Sequence, residues 1–155
     1  MPKFVVITIS TADEMRKALA IRTRVFVEEQ RVPVAEEIDG YDEADPTGNP
    51  RAIHFLGRLD GMPIAAARLL TDVHDGELPH IGRVAVLAEH RGHGYGAATM
   101  RAVHTEAHAR GFAGVTLAAQ LHALGFYERL GYLARGLVFL DAGIQHRDMD
   151  LRFGG

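Results

Sequence analysis

Cysteine is absent from the chain. That excludes disulfides, thiolate metal sites and a cysteine-bound acyl intermediate. Positive charge is not in excess either: 17 Lys and Arg are dispersed against 20 Asp and Glu, for a formal net charge of −3. With no basic stripe, nothing points to nucleic acid as a partner. Apolar runs are short. None approaches the roughly 18 residues of a membrane span, and the first ten residues lack the small-residue cleavage pattern of a secretory leader. The expectation is a cytoplasmic protein with no membrane association. Repeats, low-complexity tracts and interdomain linkers are also missing. The 155 residues, 47% of them hydrophobic, suit a single domain, 1–155, around one sizeable core.

What is present concentrates in residues 80–110. An apolar, partly β-branched run over 81–88 predicts a buried strand. A polar turn, Glu89-His90-Arg91, leads into glycines at alternate positions, Gly92, Gly94 and Gly96. Gly96, Met100, Val103 and Ala107 then recur every three or four residues and predict one face of a helix. Strand, glycine-rich turn and helix make an anion site. Turn amides and the open N–H groups of the first helical turn converge on one spot, where the helix dipole favours negative charge. Glycine lets a phosphate approach the backbone, and Arg91 adds a charge-assisted contact. The segment reads as a diphosphate cradle.

Two motifs compete for it. Gly92-His93-Gly94-Tyr95-Gly96-Ala97 fits the dinucleotide fingerprint G-x-G-x-x-A. That fingerprint wants an acidic residue roughly 20 positions on to hold a ribose, and no Asp or Glu lies between Gly111 and Tyr127. From Arg91 the same residues read R-x-x-G-x-G, and Leu124-Gly125-Phe126-Tyr127-Glu128-Arg129-Leu130-Gly131-Tyr132 follows downstream. The pair resembles the acetyl-CoA pyrophosphate loop and the later aliphatic–Tyr–Glu–x–x–Gly–aromatic run of the GNAT superfamily of N-acetyltransferases. Phe26-Val27-Glu28-Glu29-Gln30, the acidic loop 39–45, Gln120-Leu121-His122-Ala123 and Ala142-Gly143-Ile144-Gln145-His146 are similar to its ElaA/YjcF-like subgroup.

Periodicity and turn signals supply the remaining elements. Strands are predicted over 4–9, 52–59, 64–70, 81–88, 115–119, 132–140 and 145–153, and helices over 12–29, 96–110 and 123–130. Thr11-Ala12-Asp13-Glu14 is a capping box, Pro33 opens a polar loop that runs to residue 50, and Asp60-Gly61 marks a hairpin. The resemblance implies an α/β (α+β) fold: a mixed, mostly antiparallel sheet of about seven strands, a central parallel pair that splays apart, and about four helices. It also implies acetyl-CoA as co-substrate, its thioester arm entering between the splayed strands. Backbone groups of Val84, Ala85 and Val86 are then implied to hold the pantetheine and the acetyl carbonyl. Arg91, Gly92, His93, Gly94, Tyr95, Gly96 and Ala97 are implied to hold the pyrophosphate. Gln120 stands where many members carry asparagine and is implied to bond the pantetheine. Tyr127 is implied to face the thioester.

Acetyl transfer to an amine needs a free amine, a polarised carbonyl and a protonated leaving thiol. A lysine-like amine, with a pKa of roughly 10.4, must first lose a proton. Backbone N–H groups can hold the oxyanion. Tyr127 is the candidate acid, set against the bland reading of a packed aromatic. Glu28, His80, His122 and His54 are candidate bases, and a water relay is the alternative. Nine histidines raise the question of a metal. His104 and His108 stand at i and i+4, but Thr105 replaces the zincin glutamate and zinc needs three or four convergent ligands, so no metal is expected. Residues 28–45 hold eight carboxylates against Arg31 alone. They read as a solvated loop or as a negative rim that attracts a cationic amine. The expected activity is acetyl transfer to a primary amine, on a small molecule, a peptide or a protein. The competing class is a non-catalytic acyl-CoA-binding or interaction module on the same fold. Exposed edge strands are compatible with a homodimer.

Overall fold

The seven predicted strands fall into a single sheet. The structure, a computed structural model, describes residues 2–42 and 51–154. The end of the predicted polar loop, with Glu43 and Asp45 of the acidic segment, lies outside the described residues. β1 (Phe4–Thr8), β2 (Ala52–Leu59), β3 (Met62–Leu70), β4 (His80–Val86), β5 (Gly114–Gln120), β6 (Leu133–Asp141) and β7 (Ile144–Arg152) take the order β1-β2-β3-β4-β5-β7-β6. All neighbours are antiparallel except β4 and β5, which run parallel. Four α-helices accompany them: α1 (Ala12–Arg22), α2 (Val34–Glu37), α3 (Tyr95–Ala109) and α4 (Leu124–Arg129).

Both faces of the central strands are covered. Successive strand residues point to opposite faces, so Phe55 and Leu56 enter different cores. On one side Met100, Val103 and Ala107 of α3 pack with Phe55, Leu69, Ile81, Leu117 and Met149. On the other, Met15, Ala18 and Ile21 of α1 pack with Leu56, Ile64 and Ala66. Burying each of the larger side chains contributes about 1.5–3 kcal/mol. Burial on both faces is also why β2 and β3 carry nearly unbroken apolar runs.

Two elements differ from the sequence expectation. The capping box starts α1 as predicted: the Thr11 hydroxyl accepts the Glu14 N–H at 3.1 Å, and the Glu14 carboxylate accepts the Thr11 N–H at 3.2 Å. The predicted helix over 12–29, however, is α-helical only to Arg22. Thr23–Glu29 wind as a π-helix, closed by the Gln30 N–H on the Val25 carbonyl at 3.1 Å. Its wider turn keeps Val25 buried while carrying Glu29 and Gln30 toward the cleft between β4 and β5. The loop expected after Pro33 begins instead with α2, a single turn that takes Glu37 into the interior.

Candidate active site

β4 and β5 pair only at His80↔Thr116 and Ile81↔Leu117. Beyond Ile81 they part, and the cause is local. Between Ala66↔Ala85 and Arg68↔Gly82, β4 advances three residues against two on β3, so it contains a bulge. There Arg83 adopts a φ of 53°, a left-handed conformation that costs on the order of 1–3 kcal/mol for a residue with a side chain. The Arg83 guanidinium helps hold that geometry: Nε lies 2.8 Å from the Glu37 carboxylate and donates to the Glu37 carbonyl at 3.2 Å. Bulges bend their strand and gather beside active sites. On the side facing β5, residues 82–86 therefore carry backbone groups with no strand partner. The gap is a cleft of about 610 Å³.

At one end of the cleft lies the glycine turn. Gly92 and Gly94 have φ values of 83° and 85°, and, chain neighbours aside, no atom of the described residues stands within 4 Å of where a Cβ would sit at either position. Gly94 is the N-cap of α3, and no side chain among the described residues caps that helix. The N–H groups of Tyr95, Gly96 and Ala97 are thus left open. An open backbone cradle at the positive end of a 15-residue helix fits a diphosphate. Tyr95 offers only its backbone, because its ring packs 4.8 Å from that of Phe4. His93 is exposed beside it. Arg91 already has partners: Nη1 and Nη2 each donate to the Glu29 carboxylate at 2.9 Å, and Nε donates to the Val86 carbonyl at 2.9 Å.

The walls bring together most of the predicted residues. Val84, Ala85 and Val86 line the β4 side, while Gln120, His122 and Tyr127 line the other. The Gln120 amide exchanges hydrogen bonds with Gln30, donating at 2.8 Å and accepting at 3.4 Å. Tyr127 packs edge-on against Phe126 and Tyr132 at 5.0 and 5.6 Å. Its hydroxyl has no hydrogen-bond partner among the described residues, and burial pushes it up to about 12, so it remains a proton donor at neutral pH. Behind it, the Tyr132 hydroxyl meets His104 Nε2 at 2.6 Å. Burial, with help from Arg101, holds His104 down at about 4, so the ring that meets the tyrosine hydroxyl is neutral at pH 7.

The candidate bases separate. His80 and His122 line the cleft. Glu28 is exposed and outside it. His54 is buried elsewhere, donating from Nε2 to the Tyr41 carbonyl at 2.8 Å, and burial holds it below the ordinary histidine range. Sequence reasoning missed His146, which is 8% exposed and lines the cleft. Its Nδ1 donates to the Ile144 carbonyl at 2.7 Å, leaving Nε2 as the basic nitrogen of the neutral ring. Only the strand register, His146 opposite Gln120, brings it there.

For Glu37, Asp39 and Asp42 the structure corrects the expectation of either a solvated loop or a free negative rim. Glu37 and Asp42 are buried, and arginines hold them. Arg22 pairs with Glu37 and Asp42 at 2.7 Å each, and Arg68 pairs with Asp39 at 2.8 Å and Asp42 at 3.2 Å. Burial opposes the charge on Asp42, but hydrogen bonds and attraction from Arg22 hold it far below the ordinary carboxylate range. A charged group taken from water needs such partners. With Arg83, three arginines face three carboxylates in a network that ties α1, α2, β3 and β4 together. The lining carboxylates without an ion pair among the described residues are Glu36, toward β4, and Asp141, at the end of β6.

Comparison with known proteins agrees with this architecture. The profile of the acetyltransferase (GNAT) family matches residues 15–132. ElaA of Escherichia coli is 34% identical over 140 residues, 90% of this chain and 88% of that protein. YjcF of Bacillus subtilis, an uncharacterized N-acetyltransferase, is 34% identical over 138 residues, 88% of this chain and 91% of its own. The crystal structure of Escherichia coli ElaA superposes with a TM-score of 0.80 at 31% identity, covering 97% of this chain and 99% of that one. That of an acyl-CoA N-acyltransferase from Pseudomonas aeruginosa gives 0.79, also at 31% identity and with the same coverage. The chain belongs to the acetyltransferase (GNAT) family and is an acetyl-CoA-dependent N-acetyltransferase.

Proposed function

We propose that the protein transfers the acetyl group of acetyl-CoA to a primary, positively charged amine by direct attack in a ternary complex. The separation of β4 from β5 beside the uncapped start of α3 carries this reading. The cradle residues 91–97 would take the pyrophosphate, and the freed backbone of Val84, Ala85 and Val86 would take the pantetheine and the developing oxyanion. Gln120 would add an amide contact to the pantetheine. The amine, once deprotonated, attacks the thioester carbon, the C–S bond breaks, and the sulfur takes the Tyr127 proton. Among the cleft histidines His80, His122 and His146 is the base that receives the ammonium proton, directly or through water. Glu36 and Asp141 support a cationic acceptor, since both line the cleft and neither carboxylate has an ion pair among the described residues.

Thiol release from acetyl-CoA with a panel of amines tests this. Cationic amines should turn over faster than neutral amines of the same size, and the preference should shrink when Glu36 and Asp141 are replaced by Gln and Asn. Equal rates across the panel would remove the cationic acceptor, and no release with any amine would leave acyl-CoA binding without transfer. Action in the cytoplasm and homodimerisation through the free edge of β6 belong to the same proposal. Among the described residues no helix is long and apolar enough to cross a membrane.

A further inference from the structure

We infer that Glu29 and Gln30 set the affinity for acyl-CoA by occupying, in the free protein, the two polar anchors that the cofactor needs. This rests on the reading of Arg91 and Gln120 as those anchors. The Glu29 carboxylate takes one hydrogen bond from each terminal nitrogen of Arg91, both at 2.9 Å. That is the fork by which a guanidinium grips two phosphate oxygens. Gln30 presents a carbonyl to Gln120 Nε2 at 2.8 Å and an N–H to Gln120 Oε1 at 3.4 Å. A pantetheine amide offers the same acceptor and donor. Consecutive residues thus stand in for a phosphate and for an amide.

Both sit at the end of the π-helix Thr23–Glu29, a winding that is rare and frequent at functional sites. A third tie, from Arg24 to Glu89 at 3.0 Å, fastens the same helix to the turn before the cradle. Glu29 and Arg91 are 39% and 45% exposed on their side chains, so water and ligand reach the pair. The Gln30–Gln120 amides cross the cleft that the pantetheine arm must enter. Cofactor binding therefore exchanges both contacts, and one displacement of the helix end releases both residues.

Titration calorimetry with acetyl-CoA, without acceptor, tests the exchange. Glu29→Gln keeps the side chain's shape and removes its charge, and it should tighten binding by about fivefold, the factor supplied by an exposed ion pair of up to about 1 kcal/mol. Gln30→Ala should also tighten binding, and should have no effect when Gln120 is already Ala. Circular dichroism and thermal unfolding check that each variant is folded, and Gln30→Ala keeps the test open if Glu29→Gln is not. Unchanged or weaker binding in folded Glu29→Gln and Gln30→Ala would overturn the inference. If Arg91→Ala and Gln120→Ala leave acetyl-CoA affinity at the wild-type value, the assignment of the anchors fails instead.

Discussion

At the scale of single residues, the proposed chemistry centres on the Tyr127 hydroxyl. Tyr127→Phe keeps the ring packed against Phe126 and Tyr132 and removes only the proton donor. The kcat and kcat/KM should fall together, by about 10²–10⁴, with acetyl-CoA affinity retained. Wild-type turnover in the folded variant would mean that the thiol leaves as thiolate. His104 yields a prediction about stability. Its folded pKa of about 4 lies below the ordinary 6.5, so between those values the unfolded chain binds more protons. Stability should therefore drop as pH falls from about 6.5 toward 4, and be insensitive to this group above 7. Denaturant midpoints at pH 7 and 5 should diverge more for the wild type than for His104→Gln. Tyr127 was legible in the sequence because its motif is contiguous. His146 and Asp141 were not, because strand register brings them to the cleft from distant segments.

Among the elements, those signalled by local chemistry were predictable and those decided by distant partners were not. The capping box, the glycine turn and the apolar face of α3 all lie within a few residues of what they specify. The switch from α1 to π-helix involves Arg22, which is buried because its partners wait 15 and 20 residues on, at Glu37 and Asp42. Apolar periodicity carries no trace of that pairing. Two variants probe these elements. Gly94→Val imposes a branched side chain on a backbone with φ of 85° and fills the open cradle, so acetyl-CoA binding should weaken at least tenfold by calorimetry. Asp42→Asn leaves Arg22 and Arg68 undercompensated in the interior, and unfolding should lose about 3–5 kcal/mol, measured by urea denaturation.

For the molecule as a whole, charge and edges govern behaviour. The network of Arg22, Arg68 and Arg83 with Glu37, Asp39 and Asp42 cancels within itself, so these three carboxylates project little field into solvent. The sheet ends on one side in β6, with Leu133, Leu137, Val138, Phe139 and Leu140 exposed. Edge strands are templates for pairing, and sedimentation should reveal a dimer that dissociates when Leu137 and Leu140 become Lys. β6 holds four residue steps between Arg135 and Phe139 against two on β7, a bulge around Gly136. The opposite edge is the five-residue β1. If β6 were to pair with β1 of the next copy, each addition would expose a fresh β6 and the chain of sheets would lengthen without limit. Pairing of β6 with its own kind instead terminates after two copies, because a two-fold operation uses up both edges. A short, regular strand cannot follow the outline of a bulged one, whereas two bulged strands share the same contour. In the proposed dimer, the irregularity in β6 would thus favour a finite particle over an endless ribbon.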